Sequence, residues 1–319
     1  MNDLSISAAM IVKNAEDTIS DTIRSISPFC NQIIIVDTGS DDFTPIIASS
    51  LGAEVYFHKW NDDFSEARNF SLKFARKDWI LIIDSDEMID AESFRSNLHF
   101  LKDENIGGIN VIIKNYLDDS LEQYSTHRYT RIFRNNPEIR FTGRIHEQVR
   151  ESIEDMGLKV IESDIYINHF GYNEKDQSKK MRNLEILKQE TDKSINDYYL
   201  KYHLASTQFS LGNTVEAKKI FQEIVNSNLL SKEQNEMTQI RLAQINLSEN
   251  NLDIAEHWLD FQSTDENIEG FRLFILAGIK LTQKDFNTAK LLYTNDKVLN
   301  SSYVDIKIIE EVNKLFSLM

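Results

Sequence analysis

The stretch Asp84-Ser85-Asp86-Glu87 follows an apolar run and sets three carboxylates within four residues. Carboxylates this close repel one another unless a cation neutralises them. Hard divalent ions take oxygen ligands, and Mg²⁺ is usually held by one or two carboxylates together with substrate phosphates. In an extended segment alternate side chains share a face, so Asp84 and Asp86 would point the same way. One can then take a ribose hydroxyl while the other takes the metal. Two further polar groups stand in equivalent places: Val12-Lys13-Asn14 after the first apolar run, and Asp37-Thr38-Gly39-Ser40-Asp41-Asp42 after the second.

These groups need a scaffold that gathers strand ends. Ser5–Val12 reads as a strand, and Thr18–Ile26 places Ile19, Ile23 and Ile26 on one helical face. Gln32–Asp37 is a continuous apolar run of the kind buried on both faces of a parallel sheet. A helix follows with Thr44 as N-cap, Pro45 at the first helical position and Gly52 just past the end. Glu54–His58 is a third strand, Ser65–Arg76 a helix and Trp79–Asp84 a fourth strand. This alternation predicts a three-layer α/β sheet with right-handed crossovers. In such sheets ligands sit beyond the carboxyl ends of the strands, where the polar groups stand. Gly107–Asn115, Tyr129–Arg134 and Ile165–Asn168 extend the reading to a mixed second half-sheet, and Lys175–Glu190 is a polar helix leading out of it.

Beyond Tyr198 the pattern changes to helical hairpins. Leu204-Ala205, Leu242-Ala243 and Leu276-Ala277 align at offsets of 38 and 34 residues, and a second alanine follows each by 12, at Ala217, Ala255 and Ala289. Small residues on both helices let a pair cross closely, and Phe221, Leu259 and Tyr293 would fill the next groove. The period is similar to that of tetratricopeptide repeats, with Asp305–Met319 as capping helix and a generic bundle as the alternative. The expected division is 1–174, a linking helix over 175–197, and repeats over 198–319.

Composition narrows the function. The 319 residues carry 35 Lys and Arg against 51 Asp and Glu, a net charge of −16, and the acidity is concentrated in the first half. Nucleic acid binds through neutralisation of phosphates by Lys and Arg, so such a partner is not expected. Ten glycines and three prolines are few, which favours helices over an all-β fold. One cysteine, Cys30, rules out a disulfide scaffold or a cysteine zinc site and fits a reducing cytoplasm. No apolar run approaches the roughly 20 residues of a membrane span, and the start lacks a basic, signal-like segment; a cytoplasmic protein is expected.

The stretch AAMIVKN…IIIVDTGSDDFTPIIASSLGAEV…FSEARNFSLKFARKDWILIIDSDE resembles the family 2 glycosyltransferases, whose fold is GT-A. The resemblance continues through YTRIFRNNPEIRFTGRIHEQV (129–149) and INHFGY (167–172), so it spans roughly residues 4–172. Within the family the chain is similar to the branch with C-terminal tetratricopeptide repeats, which includes protein and peptide glycosyltransferases such as the sublancin-type S-glycosyltransferases. The resemblance implies a UDP-sugar donor with Mn²⁺ or Mg²⁺. It implies that Lys13, Asp37, Arg68, Asp84 and Ser85 bind the nucleotide-sugar, Asp37 at the uracil or ribose, Arg68 at the base or diphosphate and Asp84 at the ribose. Asp86 and His169 would hold the metal. Glu147 takes the place of the catalytic base, but many relatives present Glu-Asp there and this chain has His146-Glu147, so His146 stays a competing base. Six arginines lie between 128 and 150 (Arg128, Arg131, Arg134, Arg140, Arg144 and Arg150), and some could face the diphosphate. The polar run Asn173–Lys180 is a candidate closing loop.

Other readings lose ground. There is no G-x-x-x-x-G-K-[ST] loop, no G-x-G-x-x-G after the first strand and no G-x-S-x-G elbow, which weakens ATPase, dinucleotide and hydrolase readings. A nucleotidyltransferase would want a glycine-rich loop after strand one, and Val12-Lys13-Asn14-Ala15 has no glycine. The expected function is inverting sugar transfer to a Ser, Thr or Cys side chain of a peptide held by the repeats. Saccharide or lipid acceptors, and a non-catalytic repeat scaffold, are the alternatives, and self-association through the repeats stays open.

Overall fold

The computed structural model describes residues 5–116, 124–171, 177–225, 227 and 229–317. By its contacts the chain divides into two compact units, Met1–Glu174 and Lys175–Met319.

The first unit is built on one eight-stranded sheet. Its strands are β1 (Ile6–Val12), β2 (Gln32–Asp37), β3 (Glu54–Phe57), β4 (Trp79–Ile82), β5 (Glu87–Ile89), β6 (Ile106–Tyr116), β7 (Tyr124–Arg134) and β8 (Lys159–His169). They lie in the order β3-β2-β1-β4-β7-β6-β8-β5. The first four are parallel, with Ala9 of β1 opposite Ile34 of β2 and Ile82 of β4. β7 joins β4 and β6 antiparallel, and β8 runs parallel to β6.

Period-two alternation sorts the core to both faces. Ala8 and Met10 of β1 pack with α1 (Ile19–Ile26), α2 (Thr44–Ser50) and α4 (Ala91–Asn97), whereas Ala9 faces the layer of α3 (Phe64–Leu72) and α5 (Arg150–Asp155). The layers are those expected, but two details differ. Thr44 is already helical and Phe43 is the N-cap; the Thr44 hydroxyl instead accepts the Ala15 N–H at 2.7 Å and ties the loop after β1 to α2. The three-residue strand β5 has no counterpart in the expectation, which took Asp84–Glu87 only as an extended segment following the fourth strand.

The second unit is helical: α6 (Gln177–Lys193), α7 (Tyr198–Ser210), α8 (Thr214–Val225), α9 (Lys232–Ser248), α10 (Leu252–His257), α11 (Glu266–Thr282), α12 (Phe286–Tyr293), α13 (Asp296–Asn300) and α14 (Ile306–Ser317). Lys179 and Lys180 of the candidate closing loop stand in α6, while Asn173, Glu174, Lys175 and Asp176 lie outside the described residues, as does Tyr172. The three hairpins are α7–α8, α9–α10 and α11–α12, and all six marked alanines are fully buried. Each first helix opens on a capping side chain, Asp197, Ser231 or Asp265, which accepts a backbone N–H from the first turn. Each hairpin turn carries a left-handed residue at the repeat offset: Gly212, Asn250 and Lys284, at φ of 81°, 61° and 65°. Gly270 lets α13 pack onto α11, for a Cβ there would come within 2.0 Å of the Lys297 carbonyl oxygen.

Candidate active site

Parallel strands deliver three loops to one end of the sheet. The loops after β1 and β2 are laced together: the Thr38 hydroxyl donates to the Val12 carbonyl at 2.9 Å, and the Asp41 N–H donates to Asn14 Oδ1 at 2.8 Å. Asp37, at the end of β2, is buried. Its Oδ1 accepts the Gly39 and Ser40 N–H groups, each at 2.8 Å, while Oδ2 is enclosed without a partner. A buried carboxylate oxygen left unpaired is an acceptor awaiting a donor. Lys13 lies exposed just past β1.

The segment after β4 is a turn rather than an extended run, closed by the Glu87 N–H on the Asp84 carbonyl at 3.1 Å. Asp84 and Asp86 therefore part company. Asp84 takes Arg68 Nη2 on Oδ1 at 3.0 Å and Arg131 Nη2 on Oδ2 at 3.1 Å. Arg131 also donates to the buried Glu87 at 2.8 Å, and Arg68 Nε donates to Glu147 Oε1 at 2.5 Å. Ser85 meets α1 through its backbone carbonyl, which accepts the Thr22 hydroxyl at 2.8 Å.

Five charged side chains from α3, β7, the β4–β5 turn, the start of β5 and the loop before α5 thus form one largely buried chain, Glu147–Arg68–Asp84–Arg131–Glu87, with Asp84 the most exposed. Burial would raise the Asp84 carboxyl, but the two guanidinium groups hold it well below the usual range. Glu87 moves the other way, raised by burial against the opposing pull of Arg131. Arg68 and Arg131 each keep one buried nitrogen without a hydrogen bond, Nη1 and Nε respectively.

Glu147 reaches this chain through a tight loop. Thr142 and Gln148 exchange both backbone hydrogen bonds at 2.9 Å, with Gly143 at φ 92° and His146 at φ 53° between them. A left-handed histidine is uncommon and marks a constrained backbone. Burial pushes the His146 imidazole down to about 4, so it is neutral and weakly basic near pH 7. Oε2 of Glu147 carries no hydrogen bond among the described residues, whereas Oε1 is fixed on Arg68.

Asp86 is brought to His169 by β5, which pairs with β8 so that Glu87 stands opposite His169. Asp86 Oδ2 lies 3.5 Å from His169 Nε2. Burial would lower the His169 imidazole, but the hydrogen bond and charge of Asp86 raise it. The carboxylate rests against Gly171, where a Cβ would come within 1.9 Å of Oδ2. His169 Nδ1 is bonded to Asn115 Oδ1 at 2.8 Å. Imidazole nitrogen and carboxylate oxygen at this spacing fit one divalent ion, and the outer hydrogen bond is of the kind that orients ligating histidines. Among the described residues no group of three His, Cys, Asp or Glu side chains converges, so phosphate oxygens and water would complete the shell.

Sequence reasoning singled out Asp84, Asp86, Glu87, Glu147 and His169, and the fold gathers all of them near the ends of β4 and β8. It did not distinguish Arg131 from its neighbours. Of the six arginines, Arg131 enters the chain; Arg134, Arg140 and Arg144 donate to backbone carbonyls, Arg128 to a carbonyl and Glu162, and Arg150 to Glu154. Asn115 carried no signal beyond a polar residue inside an apolar strand.

The family model described as glycosyl transferase family 2 matches residues 7–168. A TPR repeat-containing protein of Synechococcus elongatus is 30% identical over 209 residues, 63% of this chain and 50% of that protein. The SPbeta prophage-derived glycosyltransferase SunS of Bacillus subtilis is 29% identical over 189 residues, 57% of this chain and 44% of that one. The chain therefore spans about half the length of the curated relatives it matches. Among solved structures, S. aureus TarS 1–349 in complex with UDP-GlcNAc is 13% identical, with a TM-score of 0.44 over 83% of this chain and 90% of that chain.

Proposed function

The chain belongs to glycosyl transferase family 2, and on that premise we propose that it transfers a sugar from a UDP-sugar, with inversion and divalent-metal assistance, to a Ser, Thr or Cys side chain of a peptide. The observation that carries the reading is the single guanidinium of Arg68, which touches Asp84 on one side and Glu147 on the other.

Asp37 Oδ2 would accept the uracil N–H, which satisfies its buried lone pairs. Asp84 and Ser85 would face the ribose, and exposed Lys13 would approach the nucleotide from the loop after β1. Asp86 and His169 would hold Mn²⁺ or Mg²⁺, which when bound offsets charge building on the leaving diphosphate.

Glu147 is the base. Its Oε2 takes the acceptor proton as the acceptor oxygen or sulfur attacks the anomeric carbon; the bond from that carbon to the diphosphate oxygen breaks, and its electron pair leaves with UDP. Arg68 fixes the carboxylate in place, so proton transfer starts from an oriented group. His146, held down to about 4 by burial, is neutral and weakly basic, and with its left-handed backbone it shapes the loop. A thiol acceptor would need less help, since it ionises near pH 8.5. The helical unit would bind the acceptor, because stacked hairpins build concave surfaces suited to extended peptides.

The test is UDP release from a panel of nucleotide-sugars with Mn²⁺, Mg²⁺ or EDTA, beside Asp86→Ala. Slow hydrolysis of one UDP-sugar that needs both metal and Asp86 is the expected result. No release from any donor, with no UDP binding by calorimetry, overturns the reading.

A further inference from the structure

His169 has two ring nitrogens, and only the form with the proton on Nδ1 leaves an Nε2 lone pair for a cation. Which form is present depends on what Nδ1 meets. It meets Asn115 Oδ1 at 2.8 Å, an acceptor, which requires a proton on Nδ1. The same amide turned over would present its NH₂ group, take the proton off Nδ1 and leave Nε2–H aimed at Asp86. The orientation of one side-chain amide therefore decides whether the His169–Asp86 pair can receive a metal.

The fold holds that amide in place from the far side. Asn115 is buried within β6, in register with His169 on β8 and with Ser125 on β7. Its Nδ2 donates to His127 Nδ1 at 2.8 Å and lies 3.4 Å from Ser125 Oγ. When His127 carries its ring proton on Nε2, Nδ1 can only accept, which holds the NH₂ end towards β7 and leaves the carbonyl end for His169. Three neighbouring strands thus supply one relay, His127–Asn115–His169–Asp86, with contacts of 2.8, 2.8 and 3.5 Å.

We propose that Asn115, clamped by His127, is a positioning residue that selects the His169 tautomer able to bind a divalent cation. The inference rests on the reading of Asp86 and His169 as the cation site. It predicts that the relay acts on metal affinity before any sugar chemistry, because orientation of a ligating imidazole by its outer partner typically affects metal affinity by about 10–100-fold.

The test combines two readouts on Asn115→Leu, Asn115→Asp, His127→Leu and Asp86→Ala. Mn²⁺ affinity is measured by electron paramagnetic resonance with UDP present. The ring tautomer of His169 is read by long-range ¹H–¹⁵N spectroscopy without metal. Wild type should protonate His169 at Nδ1. Asn115→Leu should lose that preference and weaken Mn²⁺ by about 10–100-fold. Asn115→Asp keeps the acceptor and should retain both properties. His127→Leu, on the solvent-facing stretch of β7, frees the amide to turn and should weaken Mn²⁺ by a smaller factor, which keeps the test decisive if Asn115→Leu does not fold. An unprotonated His169 Nδ1 in wild type, or unchanged Mn²⁺ affinity in both Asn115→Leu and His127→Leu while Asp86→Ala loses it, overturns the role of Asn115 alone. Unchanged affinity in Asp86→Ala as well overturns the cation site, and the inference with it.

Discussion

In the helical unit six fully buried alanines pack against Phe221, Leu259 and Tyr293. In the sheet unit the largely buried cluster at the strand ends is ionic: Arg68, Asp84, Arg131, Glu87 and Glu147. Apolar burial is non-directional and tolerates exchange of like for like. A buried charge is tolerable only while each partner is present, since removing one leaves the others unpaired in a low dielectric. The alanine contacts are therefore organised by volume and the strand-end cluster by pairing, and substitutions should separate the two.

The largest effect should come from Arg68→Met. It leaves Asp84 without one of its two cations and Glu147 without its partner, a loss of about 3–5 kcal/mol of stability in denaturant titration, together with loss of UDP release. Retained activity would mean that the ionic chain does not orient the site. Phe221→Ala should be comparable in stability, about 3–5 kcal/mol through the cavity it opens, yet leave UDP affinity within about twofold by calorimetry, a change under roughly 0.5 kcal/mol. A parallel drop in UDP affinity would break the comparison. Gly171→Ala must push the Asp86 carboxylate aside, and it should weaken Mn²⁺ by about tenfold, or 1.4 kcal/mol, with little change in melting temperature.

A further effect concerns acid stability. His146 ordinarily titrates at 6.5 and is held to about 4 by burial. Between those values the unfolded chain takes up a proton that the folded chain does not, so stability falls as pH falls from about 6.5 towards 4, by at most about 1.4 kcal/mol per pH unit. His146→Asn, which tolerates the left-handed backbone, should flatten the stability profile across that window. A profile that keeps its slope would place the acid sensitivity elsewhere.

The same contrast explains what could be read from the chain. The alanine pairs were legible because volume complementarity repeats at 38 and 34 residues and needs only local spacing. The left-handed turn residues share those offsets but not their identity, being Gly212, Asn250 and Lys284, so no pattern announced them. In the sheet unit the strands and the polar ends were visible as apolar runs followed by carboxylates. Partners were not: Arg68 and Glu147 are 79 residues apart, and Arg131 and Glu87 are 44 apart. Arg68 was legible as a candidate nucleotide ligand, but not as the bridge between two carboxylates. Asp84 and Asp86 looked like neighbours on one extended face, but the turn that starts β5 sends one to the arginines and the other to His169. A three-residue strand lies below the length at which periodicity can be recognised, and here it places the candidate cation ligand.

In the proposed mechanism Glu147 acts as the base at a donor site organised by Arg68. Its most direct test is Glu147→Gln, with UDP affinity measured by calorimetry and UDP release from the active UDP-sugar measured in parallel. The account predicts affinity within about threefold of wild type, roughly 0.7 kcal/mol, with release slower by about 10²–10⁴-fold, the usual contribution of a general base. Release at the wild-type rate, or loss of UDP binding along with it, would contradict the claim.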